Sequence, residues 1–209
     1  MSNLIAPHGG YRNLKSFQMA LIVYDLTVQF LPRYIQRYTK LWDQMDGAAR
    51  SGAFNLGEGS QTSGTSKQSE IRLVDVNRAS LEELLLDYEA FLRQRDLSIW
   101  DKNDPRVLAI RKLAYVPDKS YKTYMSYLDK PESAANCVLC VIHQANYLLD
   151  QQLRALDKDL LEKGDFRDRY KEIKKKEMFG SKEDEREFLE KQFGIKFDKN
   201  GLVIYDDKK

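Results

Sequence analysis

This 209-residue chain has few cysteines, no long apolar run and little net charge. Its two cysteines, Cys137 and Cys140, lie three residues apart in an apolar segment, which excludes a secreted disulfide framework and predicts reduced, buried thiols. No apolar run approaches the roughly 20 residues that span a bilayer, and the start lacks the charged and apolar regions of a secretory signal. We therefore expect a soluble protein of the cytoplasm that makes no contact with a membrane.

Histidine is also scarce, and this bears on metal binding. Cys137, Cys140 and His143 would place soft ligands on one helix, but a tetrahedral zinc site needs four ligands and His8 is the one histidine left. Buried thiols are therefore the favoured interpretation, with His143 as a hydrogen-bonded histidine at an interface. The sequence predicts no metal and no cofactor.

Catalytic motifs are missing as well. No nucleophile is accompanied by an orienting histidine, and no H-E-x-x-H pair is present. Residues 57–60 have the composition of a phosphate-binding loop, but they follow a predicted helix, whereas such a loop follows a strand. We therefore predict that the chain is not an enzyme.

Net charge alone does not indicate a nucleic-acid-binding protein. The formal charge is +2 and the sequence pI is about 8.3, below the value of about 9 that marks such a domain. Residues 1–40 are more basic than the whole, with five basic residues against Asp25. Solvated helix faces explain such charges in a monomer, whereas an oligomer would repeat them around an axis as a binding patch. The candidate nucleic-acid-binding residues are Arg12, Lys15, Arg33, Arg37, Lys40 and Arg50.

Apolar residues three and four positions apart predict four long amphipathic helices. The first includes residues 17–31 and should end at Pro32, because proline lacks the N–H that a helix interior uses. The second runs from there to about Gly59. Its later face consists largely of small residues, which allow a neighbouring backbone to come close. These residues are Leu41, Met45, Ala48, Gly52 and Leu56.

Helices three and four each carry one polar residue on the apolar face. Thr65 and Gln68 fit a capping box that opens helix three, whose apolar face runs over residues 71–92 with Arg78 as the exception. Helix four repeats the pattern over residues 139–160, with Asn146 as its polar member.

A buried polar network is expected from these exceptions. An arginine on an apolar face is tolerated only when it is paired and hydrogen-bonded, and Glu58 lies on the facing helix. We predict a Glu58–Arg78 ion pair, with Asn55 satisfying the remaining donors and acceptors and Asn146 as a further member. The favoured role is to fix the register of the helices. Ligand binding is the alternative.

Residues 97–131 interrupt the helical pattern with three prolines and are interpreted as an insert over the bundle, with a short helix over residues 106–113. The insert carries tyrosines interspersed with lysines. These are Lys119, Tyr121, Lys122, Tyr124, Tyr127 and Lys130. Packing of the tyrosines onto the bundle is the favoured interpretation, and stacking on nucleic-acid bases is the alternative.

The composition changes beyond Gly164, where alternating charges are followed by a short helix over residues 182–193. Asn200-Gly201 predicts a hairpin over residues 195–205. Because a lone hairpin is marginally stable, we expect its apolar face to dock on its own subunit or on a partner. That face is predicted to consist of Ile195, Phe197, Leu202 and Ile204.

The chain thus divides into an N-terminal arm (residues 1–13), a four-helix bundle with its insert (14–163) and a C-terminal appendage with the hairpin (164–209). The predicted fold class is all-α. We expect an antiparallel up-down-up-down four-helix bundle, followed by a C-terminal helical segment and a short β-hairpin.

Several motifs on these helices match one family. They are Tyr11-Arg12-Asn13-Leu14, Asn55-Leu56-Gly57-Glu58-Gly59, Arg78-Ala79-Ser80-Leu81-Glu82-Glu83-Leu84, Phe91-Leu92-Arg93, residues 97–101 and His143-Gln144-Ala145-Asn146-Tyr147-Leu148-Leu149. On these residues the chain resembles the bacterial four-helix bundle proteins first noticed as reading frames in ribosomal RNA intervening sequences, in particular the subgroup with a C-terminal suffix region. The match covers about residues 10–170. The chain departs from the family pattern where Gly52 replaces an isoleucine after Ser51 and where Gly57 replaces the usual alanine.

The resemblance implies an up-down-up-down bundle that forms a homo-oligomer, a five-fold barrel in several relatives. One branch includes the accessory protein of diversity-generating retroelements, which implies nucleic-acid binding as the partner of a reverse transcriptase. Our leading hypothesis is therefore a non-enzymatic homo-oligomer that binds RNA or DNA through repeated basic patches as an accessory to a nucleic-acid enzyme. The alternative is a protein-interaction scaffold that does not bind nucleic acid and captures a partner with its appendage and hairpin.

Overall fold

The computed structural model describes residues 9–198 and 202–204. This part of the chain contains seven α-helices, two short 3-10 helices and one two-stranded antiparallel sheet, which confirms the predicted all-α class. The α-helices are α1 (Lys15–Tyr34), α2 (Lys40–Thr62), α3 (Lys67–Arg93), α4 (Pro105–Leu113), α5 (Pro131–Lys163), α6 (Phe166–Phe179) and α7 (Lys182–Phe193). The 3-10 helices are Tyr11–Asn13 and Tyr121–Tyr127, and the strands are β1 (Lys196–Phe197) and β2 (Val203–Ile204).

The described residues fall into two compact units. The first runs to Lys163 and contains α1 to α5, and the second begins at Gly164 and contains α6, α7 and the sheet. Residues 1–8 of the predicted N-terminal arm lie outside the described residues. Among the helices that are described, none combines the length and apolar character needed to cross a membrane.

The boundary between α1 and α2 differs from the prediction at Pro32. Helix α1 continues through Pro32 and ends at Tyr34. Proline is tolerated here because it is exposed and lies in the last turn, where its missing N–H costs a single intrahelical bond. Helix α2 then begins after Thr39, whose hydroxyl accepts a hydrogen bond from the Trp42 N–H (3.2 Å).

The start of α3 lies one residue beyond the predicted capping box. Ser66, and not Thr65, is the N-cap, because its hydroxyl accepts the Ser69 N–H (3.1 Å). The Thr65 hydroxyl instead donates to the carbonyl of Thr62, the last residue of α2 (3.2 Å). The connection between these helices is therefore shorter than the sequence suggests, because α2 extends past Gly59.

The four long helices of the first unit contact one another in sequence: α1 packs on α2, α2 on α3, α3 on α5, and α5 on α1. The small residues of α2 permit the contact with α3. A Cβ at Gly52 would lie 2.9 Å from Leu81 Cγ and overlap Leu81 Cδ2, and a Cβ at Gly59 would lie 3.2 Å from Leu73 Cβ. The expected close approach of a neighbouring helix is thus confirmed.

An aromatic cluster fills the core between α1 and α3. The Phe30 ring lies 4.8 Å from the Tyr88 ring, 4.9 Å from the Phe91 ring and 5.0 Å from the Tyr34 ring, centroid to centroid. The buried Tyr88 hydroxyl donates to Thr27 Oγ1 (3.0 Å), so the cluster contains no unpaired hydroxyl at this point.

The insert packs on the long helices, as the favoured interpretation predicts. Tyr124 is fully buried, and Tyr121 and Tyr127 are partly buried and pack against the core. The start of the insert is tied to α5 by Asn136, which accepts the Trp100 backbone N–H and donates to the Ser98 carbonyl (both 2.8 Å). We call this arrangement the Asn136 clasp.

The second unit contains a helix that the sequence pattern does not predict. The alternating charges after Gly164 form α6, which is capped by Asp165, whose carboxylate accepts the Phe166 N–H (2.8 Å). No residue of α6 or α7 is buried. The helix at residues 182–193 agrees with its prediction.

The hairpin has a different register from the one predicted. Phe197 pairs with Val203 and Lys196 pairs with Ile204, so Phe197 and Ile204 lie on opposite faces. The predicted apolar face of Ile195, Phe197, Leu202 and Ile204 is therefore wrong, because this register places the two residues from the first strand and the two from the second on opposite faces of the hairpin. The predicted Asn200-Gly201 turn lies outside the described residues.

Candidate nucleic-acid interface

The six basic residues predicted from the sequence are all exposed, but they lie far apart. Lys15 begins α1 and Arg33 lies in its last turn, which at 1.5 Å per residue separates them by about 27 Å. Arg12 lies with Lys15, whereas Arg37 and Lys40 lie with Arg33 near the start of α2. Five of the six predicted residues therefore form two groups at opposite ends of α1, and Arg50 lies apart from both, in the middle of α2.

Most of these basic side chains are engaged locally. The Arg37 guanidinium lies 5.8 Å from the Trp42 ring and that of Arg12 lies 5.6 Å from the Tyr11 ring. Arg50, in the middle of α2, lies 4.9 Å from the Phe54 ring. Arg33 donates to the backbone carbonyl of the residue four before it. Each of these side chains is still exposed and could contact a phosphate, but together they do not form one continuous basic surface.

A groove brings Lys15 together with basic residues that were not in the predicted set. It has a volume of about 690 Å³ and lies between the start of α1, the end of α4 with the turn that follows, and the middle of α5. Its cationic residues are Lys15, Arg111 and Lys119, and it also contains His143. We call it the α1–α4–α5 groove.

The turn after α4 gives the groove its outer wall. Helix α4 ends at Leu113, and Asp118 adopts a left-handed backbone conformation (φ 51°) ahead of the 3-10 helix Tyr121–Tyr127, which contacts α1 and α5. Among the described residues that line the groove, Asp118 contributes the one acidic side chain, so three permanent positive charges face one negative charge.

Two tyrosine rings line the same groove. Tyr115, in the turn after α4, is 87% exposed, and Tyr147, on α5, is 63% exposed. A single exposed ring is ordinary on a protein surface, but here two of them line one groove. The groove therefore combines flat apolar faces with positive charge.

An unpaired amide oxygen is the third feature of the groove. Gln144 lines it, and its Oε1 atom is buried without a hydrogen-bond partner among the described residues. A buried acceptor without a donor costs free energy, so a ligand that draws this side chain into the groove and supplies an N–H would remove that cost.

The predicted Glu58–Arg78 pair is wrong. Arg78 Nε donates to Asp150 Oδ1 on α5 (2.5 Å), and both side chains are more than a third exposed. Glu58 is exposed on α2, and Asn55 is only partly buried. The prediction failed because helical spacing allows two routes from Val74 to Leu81. A step of four followed by a step of three passes through Arg78, whereas the reverse order passes through the residue before it.

Asn77 is the residue that actually interrupts the buried face of α3. It is fully buried, and neither its Oδ1 nor its Nδ2 has a hydrogen-bond partner among the described residues. Asn146, predicted as the polar residue of the fourth long helix, is buried and donates to Glu82 Oε2 (3.1 Å). Asn146 thus makes a polar contact with α3, but its partner is Glu82 and not a residue of the predicted network.

Replacement of Asn77 by leucine is expected to stabilise the protein by about 1–2 kcal/mol, because it replaces two buried, unpaired polar atoms by methyl groups on a side chain of the same branched shape. Urea unfolding followed by circular dichroism measures this change. The neighbouring Arg78→Met is the control and should change stability by less than about 1 kcal/mol, since it removes a half-exposed ion pair. Destabilisation by Asn77→Leu would show that Asn77 has a partner that compensates for its burial.

The cysteines are free and buried, as predicted. Burial raises the pKa of the Cys137 thiol far above its usual range, and it also raises the pKa of Cys140, where Arg111 opposes the shift. Neither thiol is therefore activated as a nucleophile. No cluster of three potential metal ligands exists among the described residues, and His8 lies outside them.

The groove could not be found from sequence spacing. The sequence presents Lys119 as a neighbour of the insert tyrosines, and it presents His143 as a hydrogen-bonded histidine at an interface, with metal binding as the alternative. Tyr115 lies in a turn and Tyr147 lies on a helix that begins after the insert, so only the packing of α4 against α5 brings them together. The exposure of these two rings is what distinguishes them, and it is a property of the folded chain that the sequence does not reveal.

Comparison of the chain with protein-family models, with curated proteins and with solved structures gives no match.

Proposed function

We propose that the chain is a non-enzymatic protein that binds nucleic acid, with the α1–α4–α5 groove as its main contact. The observation that carries this proposal is the combination of Lys15, Arg111 and Lys119 with two exposed tyrosine rings in one groove. Positive charge that follows a nucleic-acid backbone, together with aromatic faces, is the usual composition of a nucleic-acid-binding surface.

The architecture that we propose for it is an antiparallel up-down-up-down four-helix bundle of the family that the sequence resembles. The cyclic contacts of α1, α2, α3 and α5 support this topology. The Arg78–Asp150 and Glu82–Asn146 contacts also support it. A residue later in α3 contacts a residue earlier in α5, as expected for two antiparallel helices. By the same resemblance we propose a homo-oligomer, with a pentamer as the favoured state, that assists a nucleic-acid enzyme such as a reverse transcriptase.

Oligomerisation would repeat the groove around the symmetry axis. The two groups of basic residues on α1 and α2 would then be secondary contacts on each copy, each with a small effect of its own. A ring of weak contacts binds a long polyanion more tightly than a single copy does, because later contacts are intramolecular.

The double variant Lys15→Glu/Lys119→Glu is expected to weaken nucleic-acid binding by about tenfold or more and to reduce the salt dependence by about two phosphate contacts. Fluorescence anisotropy with labelled RNA and DNA at about 50 and 200 mM salt measures both quantities. The matched control is Arg37→Glu/Lys40→Glu, which makes the same change in net charge at the far end of α1 and should weaken binding by less than about threefold.

Three results would contradict this assignment in different ways. Equal losses in both double variants would show that only bulk charge matters. A larger loss in the control would move the contact to the group around Arg33. No binding by the native chain at 50 mM salt would exclude nucleic acid as the ligand.

The second candidate is a protein-interaction scaffold, and one observation favours it. The second unit leaves an unusual number of large apolar side chains exposed: Tyr170, Met178, Phe188, Phe193, Leu202, Val203 and Ile204. A unit without a buried helix face gains stability when a partner covers such residues. This candidate replaces the first if the native chain binds no nucleic acid.

A further inference from the structure

The exposed tyrosines distinguish the groove from a simple track for phosphates. A surface that contacts only the backbone of a duplex needs positive charge and hydrogen-bond donors, and it gains little from apolar rings. Here Tyr115 and Tyr147 are the most exposed aromatic residues of the groove and lie among its three permanent cations. Asp118 in the same lining lowers the net charge, which further reduces the value of the groove as a site for phosphates alone.

Aromatic faces recognise bases only when the bases are free. In a duplex, each base is stacked on its neighbours and paired at its Watson–Crick edge, so neither the ring face nor that edge is accessible. In a single strand both are accessible, and stacking on tyrosine is tolerant of sequence because every base has a flat face.

The orphaned amide of Gln144 fits the same ligand. Its Oε1 is buried and lacks an N–H donor, and rotation of the side chain into the groove would let the exocyclic amino groups or ring N–H groups of unpaired bases supply one. A phosphate cannot serve, because its oxygens accept hydrogen bonds. The groove thus has cations for the nucleic-acid backbone, tyrosine rings for the face of a base, and the Gln144 amide for the edge of a base.

We propose that the α1–α4–α5 groove binds unpaired bases and therefore selects single-stranded nucleic acid over duplex. This inference rests on the proposed function and specifies the ligand for it. Bases stack on Tyr115 and Tyr147, Gln144 turns its amide outward to accept a hydrogen bond from a base edge, and Lys15, Arg111 and Lys119 neutralise the adjoining phosphates. Selectivity comes from the rings and the amide, and salt dependence comes from the cations.

The test compares a labelled 12-nucleotide single strand with a duplex of the same length at one salt concentration, using the full chain. Tyr115→Leu and Tyr147→Leu are each expected to weaken single-strand binding by about tenfold without changing its salt dependence, because they remove a ring and no charge. Weak duplex binding should stay unchanged in both. Tyr38→Leu is the matched control, since Tyr38 is 96% exposed outside the groove, and it should bind as the native chain does.

The outcomes separate this inference from the function on which it rests. Equal affinity for both probes, or native binding by both tyrosine variants while Lys15→Glu/Lys119→Glu is impaired, overturns the single-strand inference and leaves nucleic-acid binding in place. No binding of either probe by the native chain overturns both. Circular dichroism of each variant confirms that a loss of binding does not reflect a loss of fold.

Discussion

Truncation of Phe30 to alanine is expected to lower the free energy of unfolding by about 4 kcal/mol, which is a large part of the stability of an ordinary domain. Phe30 is fully buried and contacts the rings of Tyr34, Tyr88 and Phe91 at centroid distances near 5 Å. Its removal loses apolar burial and three aromatic contacts and leaves a cavity between α1 and α3. Close packing of the cluster prevents the neighbouring rings from filling that space.

Urea unfolding measured by circular dichroism gives this change, and thermal unfolding should shift by roughly 12 °C. Val28→Ala on the same helix is the control, because Val28 is 39% exposed and its truncation should cost less than about 1 kcal/mol. Similar losses in the two variants would show that the stability of α1, and not the aromatic cluster, determines the result.

Gly52→Val is expected to destabilise the protein by about 3 kcal/mol, although valine favours a helix more than glycine does. The added side chain would overlap Leu81, which is fully buried and cannot turn towards solvent. To relieve this overlap, α3 would have to move away from α2 along much of their contact. The close approach of the two helices therefore depends on the missing side chain.

The control is Gly47→Val, five residues earlier on the same helix. Apart from its chain neighbours and the backbone of its own helix, no heavy atom of the described residues lies within 4 Å of a Cβ at residue 47, so this variant should gain a few tenths of a kcal/mol from helix propensity. Adding Leu81→Ala to Gly52→Val should recover at least about 1 kcal/mol relative to the sum of the single changes. Additivity of the two changes would mean that the residues do not limit the helix separation.

The long helices could be predicted because their buried faces recur every three or four residues. Helix α6 could not, since its charges alternate and its few apolar residues are too sparse to reveal a face. The error at Arg78 has a related cause. Both Asn77 and Arg78 fit between Val74 and Leu81 at helical spacing, and periodicity cannot decide which of two adjacent polar residues is buried.

The candidate site was less accessible to sequence reasoning than the fold. Lys15 was selected for its charge, but its neighbours in the groove come from α4, the following turn and α5. Their proximity depends on how the insert folds back, which no local pattern encodes. The predicted basic residues near Arg33 were equally reasonable by charge, yet they belong to the opposite end of α1.

The Asn136 clasp has a consequence for recognition. It fixes the chain just before α4, and the Trp100 ring is held from two further sides, by Glu132 Oε1 at its Nε1 (2.8 Å) and by the Arg106 guanidinium 3.9 Å from its centroid. Helix α4 thus has an anchored start, and its other end carries Arg111 and the turn with Tyr115. One wall of the groove is therefore preorganised, so the conformational entropy lost on binding falls mainly on the ligand and the groove side chains, not on the protein backbone.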